Sequence, residues 1–437
     1  MESSHTTPQP RFPDGLRALR NRNYRFFFVG QGISNIGTWM QMVATSWLVF
    51  RLTGSSFMMG LVSFSAQLPA FIFSPVAGVV GDRFNRKKIL IIAQAGAMAQ
   101  ASALAAVTLL GVVNVWQVMA LGFVLGCVNA FEMPTRHALV PEMIEQRHDL
   151  SNAIALHSGL FNAARLVGPA IAGLLVASAG EGVCFTVNAV SFIAALAALK
   201  AMRIAPRNRN GIHATFIADL REGIAYLTEF PPIPILLAIV AVLTMNAMMF
   251  PVLLPIFAGR ILEGGSLTYG FLVAASGLGA LAATVFLARR RSVLGLDRVI
   301  AICFSLFGLG LIAFSFSRLL LLSLCILTVI GFAMIGALTS CNTIIQTIVD
   351  EEKRGRIMSF YIMVFMGASP FGSFLSGLIS EHAGAQATVF GGGLLCLLGS
   401  VLFALNLPAM RRYTKPLFLK MGIIKSDSKP YGMDQIY

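Results

Sequence analysis

Charge is what this 437-residue chain has least of. Only 12% of its residues are Asp, Glu, Lys or Arg, while 56% are hydrophobic. An ordinary soluble domain carries about 25% charged residues, so a soluble fold of this length is excluded. Acidic residues are the scarcest charges, 19 against 33 basic ones. Cysteine is sparse as well. Cys127, Cys184, Cys303, Cys325, Cys341 and Cys396 lie in apolar segments without a Cys-x-x-Cys pair, which reads as packing, not as a disulfide or metal framework. The six histidines form no metal-ligand pattern. No Walker lysine motif occurs, and Gly391-Gly392-Gly393 is not followed by Lys-Ser/Thr, so direct ATP hydrolysis is not expected. No nucleophile–base constellation appears, so neither an enzyme nor a cofactor is expected. A polar stretch precedes the first apolar run, and no cleavable signal peptide is visible.

What is present is length without polarity. Mean hydropathy is +0.77, and twelve segments reach the roughly 20 apolar residues that a membrane helix needs. They fall at about 24–50, 57–80, 88–110, 115–134, 151–178, 183–202, 233–261, 267–288, 297–316, 319–346, 356–380 and 385–408. A bilayer admits only helices or closed barrels. Barrel strands alternate apolar and polar residues over about 10 positions, whereas these runs are continuous and longer. The fold expected is therefore an all-α membrane protein of twelve transmembrane helices.

The net charge of +14 is a matter of topology, not of nucleic-acid binding. With these spans, Arg51, Arg260 and Arg318 are the basic residues of external loops, and Arg165 lies inside a span. The other 29 of the 33 fall on one side, the cytoplasmic one by the positive-inside rule. That places both termini in the cytoplasm. Residues 1–23 form a cytoplasmic N-terminal segment, with Leu16, Leu19, Arg17, Arg20 and Arg22 suggesting a short interfacial lead-in. Residues 24–202 make one six-helix bundle and 232–408 a second. The connector 203–231 places Phe216, Ile217, Leu220, Ile224 and Leu227 at helical spacing opposite Asp219, Arg221 and Glu222, as in a helix lying on the membrane surface. Residues 409–437 are read as a basic, poorly ordered cytoplasmic tail.

The densest charge is the stretch Gly78-Val-Val-Gly81-Asp82-Arg83-Phe84-Asn85-Arg86-Lys87-Lys88, read as a short loop joining two spans. The second half echoes the first at an offset near 200. Gly78 recurs as Gly279, Gly168-Pro169 as Ser369-Pro370, and Val140-Pro141-Glu142 as Val349-Asp350-Glu351. Two pseudo-symmetric six-helix halves joined by a long linker are the plan of a rocker-switch carrier.

On these residues the chain resembles a major facilitator superfamily transporter. Gly78, Asp82, Arg83, Arg86 and Lys87 resemble the superfamily's loop 2–3 signature, with Asn85 where glycine is usual. Gly168-Pro169-Ala-Ile-Ala-Gly173 resembles the span-5 motif of exporters and antiporters. The span-4 arginine motif is missing, since Ala120 to Asn129 hold no arginine. The runs from Asn129 to Glu142, from Asn162 to Pro169, and from Arg354 to Ser359 are similar to the enterobactin-exporter-like branch, the transmembrane secretion effectors. The resemblance implies secondary export from a bacterial cytoplasm across the inner membrane. A siderophore-like metabolite is the first substrate expected, with multidrug or macrolide-type efflux as the alternative and uptake as a further one. Protons are the expected coupling ion and a monomer the expected state. A non-transporting membrane sensor or assembly factor is the rival of a different class.

Charges inside a bilayer are costly and face a cavity or a partner. Glu132 is the one carboxylate placed within a span, with Arg136 four residues on and on the same helix face. Pro134 between them can kink or end the helix. Arg165 needs an acceptor, either Glu132 or a ligand anion. A fixed Glu132–Arg165 or Glu132–Arg136 pair stands beside direct proton or substrate coupling as the role of these groups. In span 1, Gln31, Asn35, Thr38, Met42 and Thr45 make a polar stripe, matched by Asn246 in span 7 and Asn342 with Gln346 in span 10. The resemblance implies that spans 1, 4, 7 and 10 line the central cavity. The substrate and ion candidates are thus Glu132, Arg165, Arg136, Gln31, Asn35, Asn129, Asn246 and Asn342. The gating candidates are Gly78, Asp82, Arg83, Arg86, Gly168, Pro169 and Arg356. Met245, Met248, Met249 and Phe250 offer an apolar wall or ordinary packing.

Overall fold

The computed structural model describes residues 14–204, 230–290 and 292–422, and within them no strand occurs. The surface helix expected at 216–227 lies outside the described residues, as do residues 1–13 and 423–437. The long helices, in chain order, are α1 (Arg22–Thr53), α2 (Ser56–Arg83), α3 (Arg86–Leu109), α4 (Val115–Leu139), α5 (Leu150–Ala179), α6 (Glu181–Ala201), α7 (Pro232–Ile261), α8 (Ser266–Ala288), α9 (Leu296–Phe316), α10 (Leu320–Ile348), α11 (Glu351–Ala383) and α12 (Ala385–Lys420). Helix α7 is interrupted at Met248 and ends in a π-helical turn, Phe257–Ile261.

Eleven of these helices are long and apolar enough to cross a membrane. Helix α1 has the length, 32 residues, but is too polar to be counted with them. The reason is visible along it: Gln31, Ser34, Asn35 and Gln41 are all buried against protein. Part of that polarity is spent on neighbouring helices. Gln41 Nε2 donates to Gln100 Oε1 of α3 at 2.9 Å, and Asn188 Nδ2 of α6 donates to Gln41 Oε1 at 2.7 Å.

The chain forms two compact units, one of residues 1–211 with 254–277, the other of residues 212–253 with 278–437. In the first, α1 packs on α5 and α6, α2 on α4, and α3 on α4 and α6. Glycines set the closest approaches. A Cβ on Gly126 of α4 would collide with the carbonyl oxygen of Ala66 on α2, and one on Gly168 of α5 would lie 2.6 Å from Trp39 Cβ on α1. The Gly122-x-x-x-Gly126 spacing is thus used for close helix contact. The segment 254–277 joins the same unit. Gly270 meets Gly173 and the Pro169 carbonyl, Gly277 meets the Arg165 carbonyl, and Arg260 Nη2 donates to the Gly54 carbonyl at 2.8 Å.

The second unit repeats the pattern of the first. The first part of α7 packs on α11 and α12, and α9 packs on α10 and α12. Gly279 of α8 faces the Thr328 carbonyl of α10, as Gly126 faces Ala66. The weak echo in sequence corresponds to an equivalent packing order. Helices α5 and α11 continue unbroken past Pro169 and Pro370, both buried.

Three boundaries differ from the sequence reading. The charged stretch at 78–88 is barely a loop: α2 runs through Arg83, α3 begins at Arg86, and Phe84 and Asn85 alone connect them. Helix α4 continues past Pro134 to Leu139. Helix α12 continues past 408 to Lys420 because that end is held. Arg411 Nε pairs with Asp297 Oδ2 of α9 at 2.6 Å, and Met410, Thr414 and Phe418 are buried. The lead-in is held too. Residues Asp14–Arg20 form a 3-10 helix tied to the start of α5, with Asn152 Nδ2 donating to the Gly15 carbonyl and Arg17 Nε 3.3 Å from Asp149 Oδ1.

Candidate functional site

The site grows from one buried carboxylate on α4. Glu132 is 6% exposed. Its Oε1 accepts from Arg136 Nε at 2.7 Å and also from Arg136 Nη2, one turn along the same helix. Gln94 Nε2 of α3 donates to the same oxygen at 3.1 Å. Arg136 Nη1 reaches Asn35 Oδ1 of α1 at 3.4 Å. Three helices therefore meet at one ion pair. Burying the pair forfeits solvation of both charges, and the short bonds offset that loss. Gln94 and Thr135, both 2% exposed, belong to the surroundings. The sequence reading passed over them because buried amides and hydroxyls in an apolar helix look like ordinary helix packing.

The cluster has unused hydrogen-bonding capacity. Gln31 Nε2 and Oε1, Asn35 Nδ2, Gln94 Oε1 and Thr135 Oγ1 are buried without a partner. Below it lies an apolar core of Tyr24, Phe27, Leu90, Leu139, Val140, Met143 and Ala153. At its side His137 meets His157 of α5 edge-on, ring centroids 5.8 Å apart, and Phe27 lies 5.8 Å from the same His157.

Glu132, Arg136, Asn35 and, by helical spacing, Gln31 are brought together. Arg165 is elsewhere. Its guanidinium lies over the Trp39 ring at 5.7 Å, and the carboxylate that could have taken it is held by Arg136. Asn129 is exposed. Asn246 is 1% exposed and presses on Gly392 of α12, its Nδ2 donating to the Val242 carbonyl at 2.8 Å. The methionines beside it are packed: a Cβ on Gly372 would meet the Met245 backbone, and one on Gly392 would lie 3.0 Å from Met249 Sδ. Asn342 Oδ1 accepts from Gln346 Nε2 at 2.6 Å. Gln346 also lines a pocket of about 430 Å³ with Thr343, Thr347, Arg354 and Met421.

Among the gating candidates, Gly78 and Asp82 lie on α2, and the Asp82 side chain is outside the described residues. Arg83 is exposed and Arg356 half-buried. Arg86 is the anchor of the α2–α3 connection. It donates to the Gly81 carbonyl at 3.2 Å, to the Ala138 carbonyl at 2.9 Å and to Glu142 Oε1 at 2.9 Å. Lys87 Nζ caps the end of α6, reaching the Met202 carbonyl at 2.5 Å. Asn85, at the position where the signature has glycine, is the N-cap of α3. Its side chain accepts from Lys88 N at 3.2 Å, with φ −64° and ψ 111°. No left-handed backbone is needed there, so asparagine serves where glycine is usual.

A family model described as transmembrane secretion effector matches residues 14–417. The staphyloferrin A transporter of Staphylococcus aureus is 24% identical over 381 residues, 85% of this chain and 94% of that protein. The multidrug efflux pump Tap of Mycolicibacterium fortuitum is 25% identical, covering 86% of this chain and 93% of that one. Macrolide efflux protein A of Streptococcus pyogenes is 24% identical, with 85% and 93% covered. Among solved structures, nucleoside transporter NupG superposes with TM-score 0.67 at 16% identity, over 89% of this chain and 99% of that one. A bacterial homologue of the human lysosomal transporter Spinster, inward-facing and occupied, gives 0.66 at 12% identity, over 94% and 99%. The fold is that of the major facilitator superfamily.

Proposed function

The chain belongs to the transmembrane secretion effector family, a family of multi-pass membrane transporters, and from that membership we propose that it exports a small organic molecule, siderophore-like in chemistry, across a bacterial inner membrane. Alternating access around a midplane site is the mechanism of this reading, with protons as the coupling ion. The observation that carries it is Glu132, a buried carboxylate in a bilayer-spanning helix whose charge is held by a neighbouring arginine. A carboxyl so placed can take a proton from one side and give it up to the other, since neither of its charge states is isolated from hydrogen-bond partners. Both termini are cytoplasmic in this reading, on the placement of the basic residues, and the transporter acts as a monomer.

Two of the relatives are named for drug or macrolide efflux, which favours multidrug or macrolide-type efflux as the second reading. Gly78, Asp82, Arg83, Arg86, Gly168, Pro169 and Arg356 are the gating residues of either reading. Asn129, Asn246, Asn342 and Arg165 are its further substrate-site candidates.

Counterflow in proteoliposomes tests the function, with staphyloferrin A and a macrolide as trial solutes. Exchange of the siderophore supports the first reading, and exchange of the macrolide alone supports the second. Absence of flux for either solute, with folded protein in the vesicles, would favour a non-transporting sensor.

A further inference from the structure

Around Glu132 five buried polar atoms have no partner: Gln31 Nε2 and Oε1, Asn35 Nδ2, Gln94 Oε1 and Thr135 Oγ1. Each unsatisfied buried group is costly, and folded proteins keep few of them. Here Gln94 is bonded to the carboxylate and Asn35 to its arginine, Thr135 follows Glu132 by one turn of α4, Gln31 precedes Asn35 by one turn of α1, and the five atoms include three acceptors. Gln94 already donates to Glu132 through Nε2, so its free Oε1 lies beside the carboxyl group. Gln31 sits one turn, about 6 Å, before Asn35 on the same face of α1, and Asn35 already meets Arg136.

The charged and titratable groups of this neighbourhood are few. Helix α4 supplies Arg136 and His137, and α5 supplies His157, against His137. The Arg86–Glu142 pair, 2.9 Å apart, joins α3 to the turn after α4. Among the described residues, α1 and α3 bring the amides Gln31, Asn35 and Gln94 toward the pair, and α2 presents Gly81 to Thr135. Arg136 is the one cation bonded to Glu132 among the described residues.

Resting on the reading of Glu132 as proton carrier, we propose that Gln31 is a positioning residue, a further acceptor of Arg136 beside Asn35, used when Glu132 is protonated. The ionised carboxylate holds Arg136 and Gln94 as observed. A proton from water then adds to the carboxylate, and the new O–H donates to Gln94 Oε1. The pair changes from net zero to +1, Arg136 is released, and its guanidinium turns one helical turn along α1 to Gln31 Oε1 and Asn35 Oδ1. Loss of the proton to the other side reverses the exchange. The unsatisfied amide of the ionised state is thus the bonded amide of the protonated state. Each turnover then shifts the cation from the Glu132 carboxylate of α4 onto the amides of α1, where it already touches Asn35, so the proton acts on helix packing.

A double-mutant cycle on the purified full-length protein in lipid nanodiscs tests this. Glu132→Gln stands in for the protonated state, and Gln31→Met removes the proposed acceptor while keeping side-chain length. At neutral pH, Gln31→Met alone leaves the melting temperature unchanged or raises it, since an unpartnered buried amide is lost. In the Glu132→Gln background the same change lowers it by several degrees, and it does so in the wild type at acid pH. An effect of equal size in both backgrounds, loss of folding in both included, overturns the proposal. Gradient-driven efflux that persists in Glu132→Gln would instead remove Glu132 as carrier, an outcome separate from that of the cycle.

Discussion

Arg165 stacks over Trp39 at 5.7 Å from the ring centroid, while Glu132, the carboxylate that could have paired with it, is bound by Arg136. The two arginines of the first unit's interior thus have different partners. One is neutralised by a carboxylate and the other is held by an aromatic face. Trp39 also meets Phe161 edge-on at 5.7 Å and receives Gly168 against its Cβ. Trp39→Leu removes both ring contacts and is expected to cost about 1–3 kcal/mol. Arg165→Met removes only the cation–π part and should cost less. Thermal unfolding in nanodiscs compares them.

The cap at Asn85 gives a prediction about the α2–α3 connection. Asn85→Ala removes the bond to Lys88 N and should lower stability by about 1 kcal/mol, whereas Asn85→Gly, the residue usual in the signature, should cost only a few tenths. Equal losses in the two variants would mean that the cap contributes little.

Gly126 on α4 and Gly279 on α8 each allow a helix to touch a carbonyl of its neighbour, Ala66 of α2 and Thr328 of α10. Alanine at either site must push backbone apart, because the obstructing atom is not a flexible side-chain end. We expect a loss of about 1–3 kcal/mol at each, since at both sites the obstructing atom is a backbone carbonyl oxygen. Gly391, with open space around it, is the control, for which alanine is neutral or stabilising.

Arg86 and Glu142 form a pair with side-chain exposures of 11% and 16%. Glu142→Gln should cost about 1.5–3 kcal/mol through the weakened charge-assisted bond. Arg86→Lys should be nearly as harmful, since one ammonium cannot reach Gly81, Ala138 and Glu142 together. Melting temperatures at low and moderate salt check both, and a half-buried pair of this kind should show only weak salt dependence.

The helices were legible in the sequence because a bilayer demands long apolar runs, and those runs are continuous. The Glu132–Arg136 pair was legible because an i, i+4 spacing puts both on one face. The role of Gln94 was not, since nothing local says which face of α3 turns toward α4. The extension of α12 was hidden as well. Residues after 408 read as a basic, poorly ordered tail, but the ion pair of Arg411 with Asp297, 114 residues earlier, holds the helix as far as Lys420. Asn246 read as a cavity amide by its span, and its close approach to Gly392, far along the chain, was not legible. What escaped the sequence is in each case a contact between distant segments.

The central claim is that a proton on Glu132 drives the transport cycle, and the most direct measurement is solute flux in proteoliposomes under an imposed proton gradient, for wild type and Glu132→Gln. The account predicts that the wild type concentrates solute against its gradient, while the variant only equilibrates it and ignores the proton gradient. A variant that still concentrates solute in step with the proton gradient would contradict it.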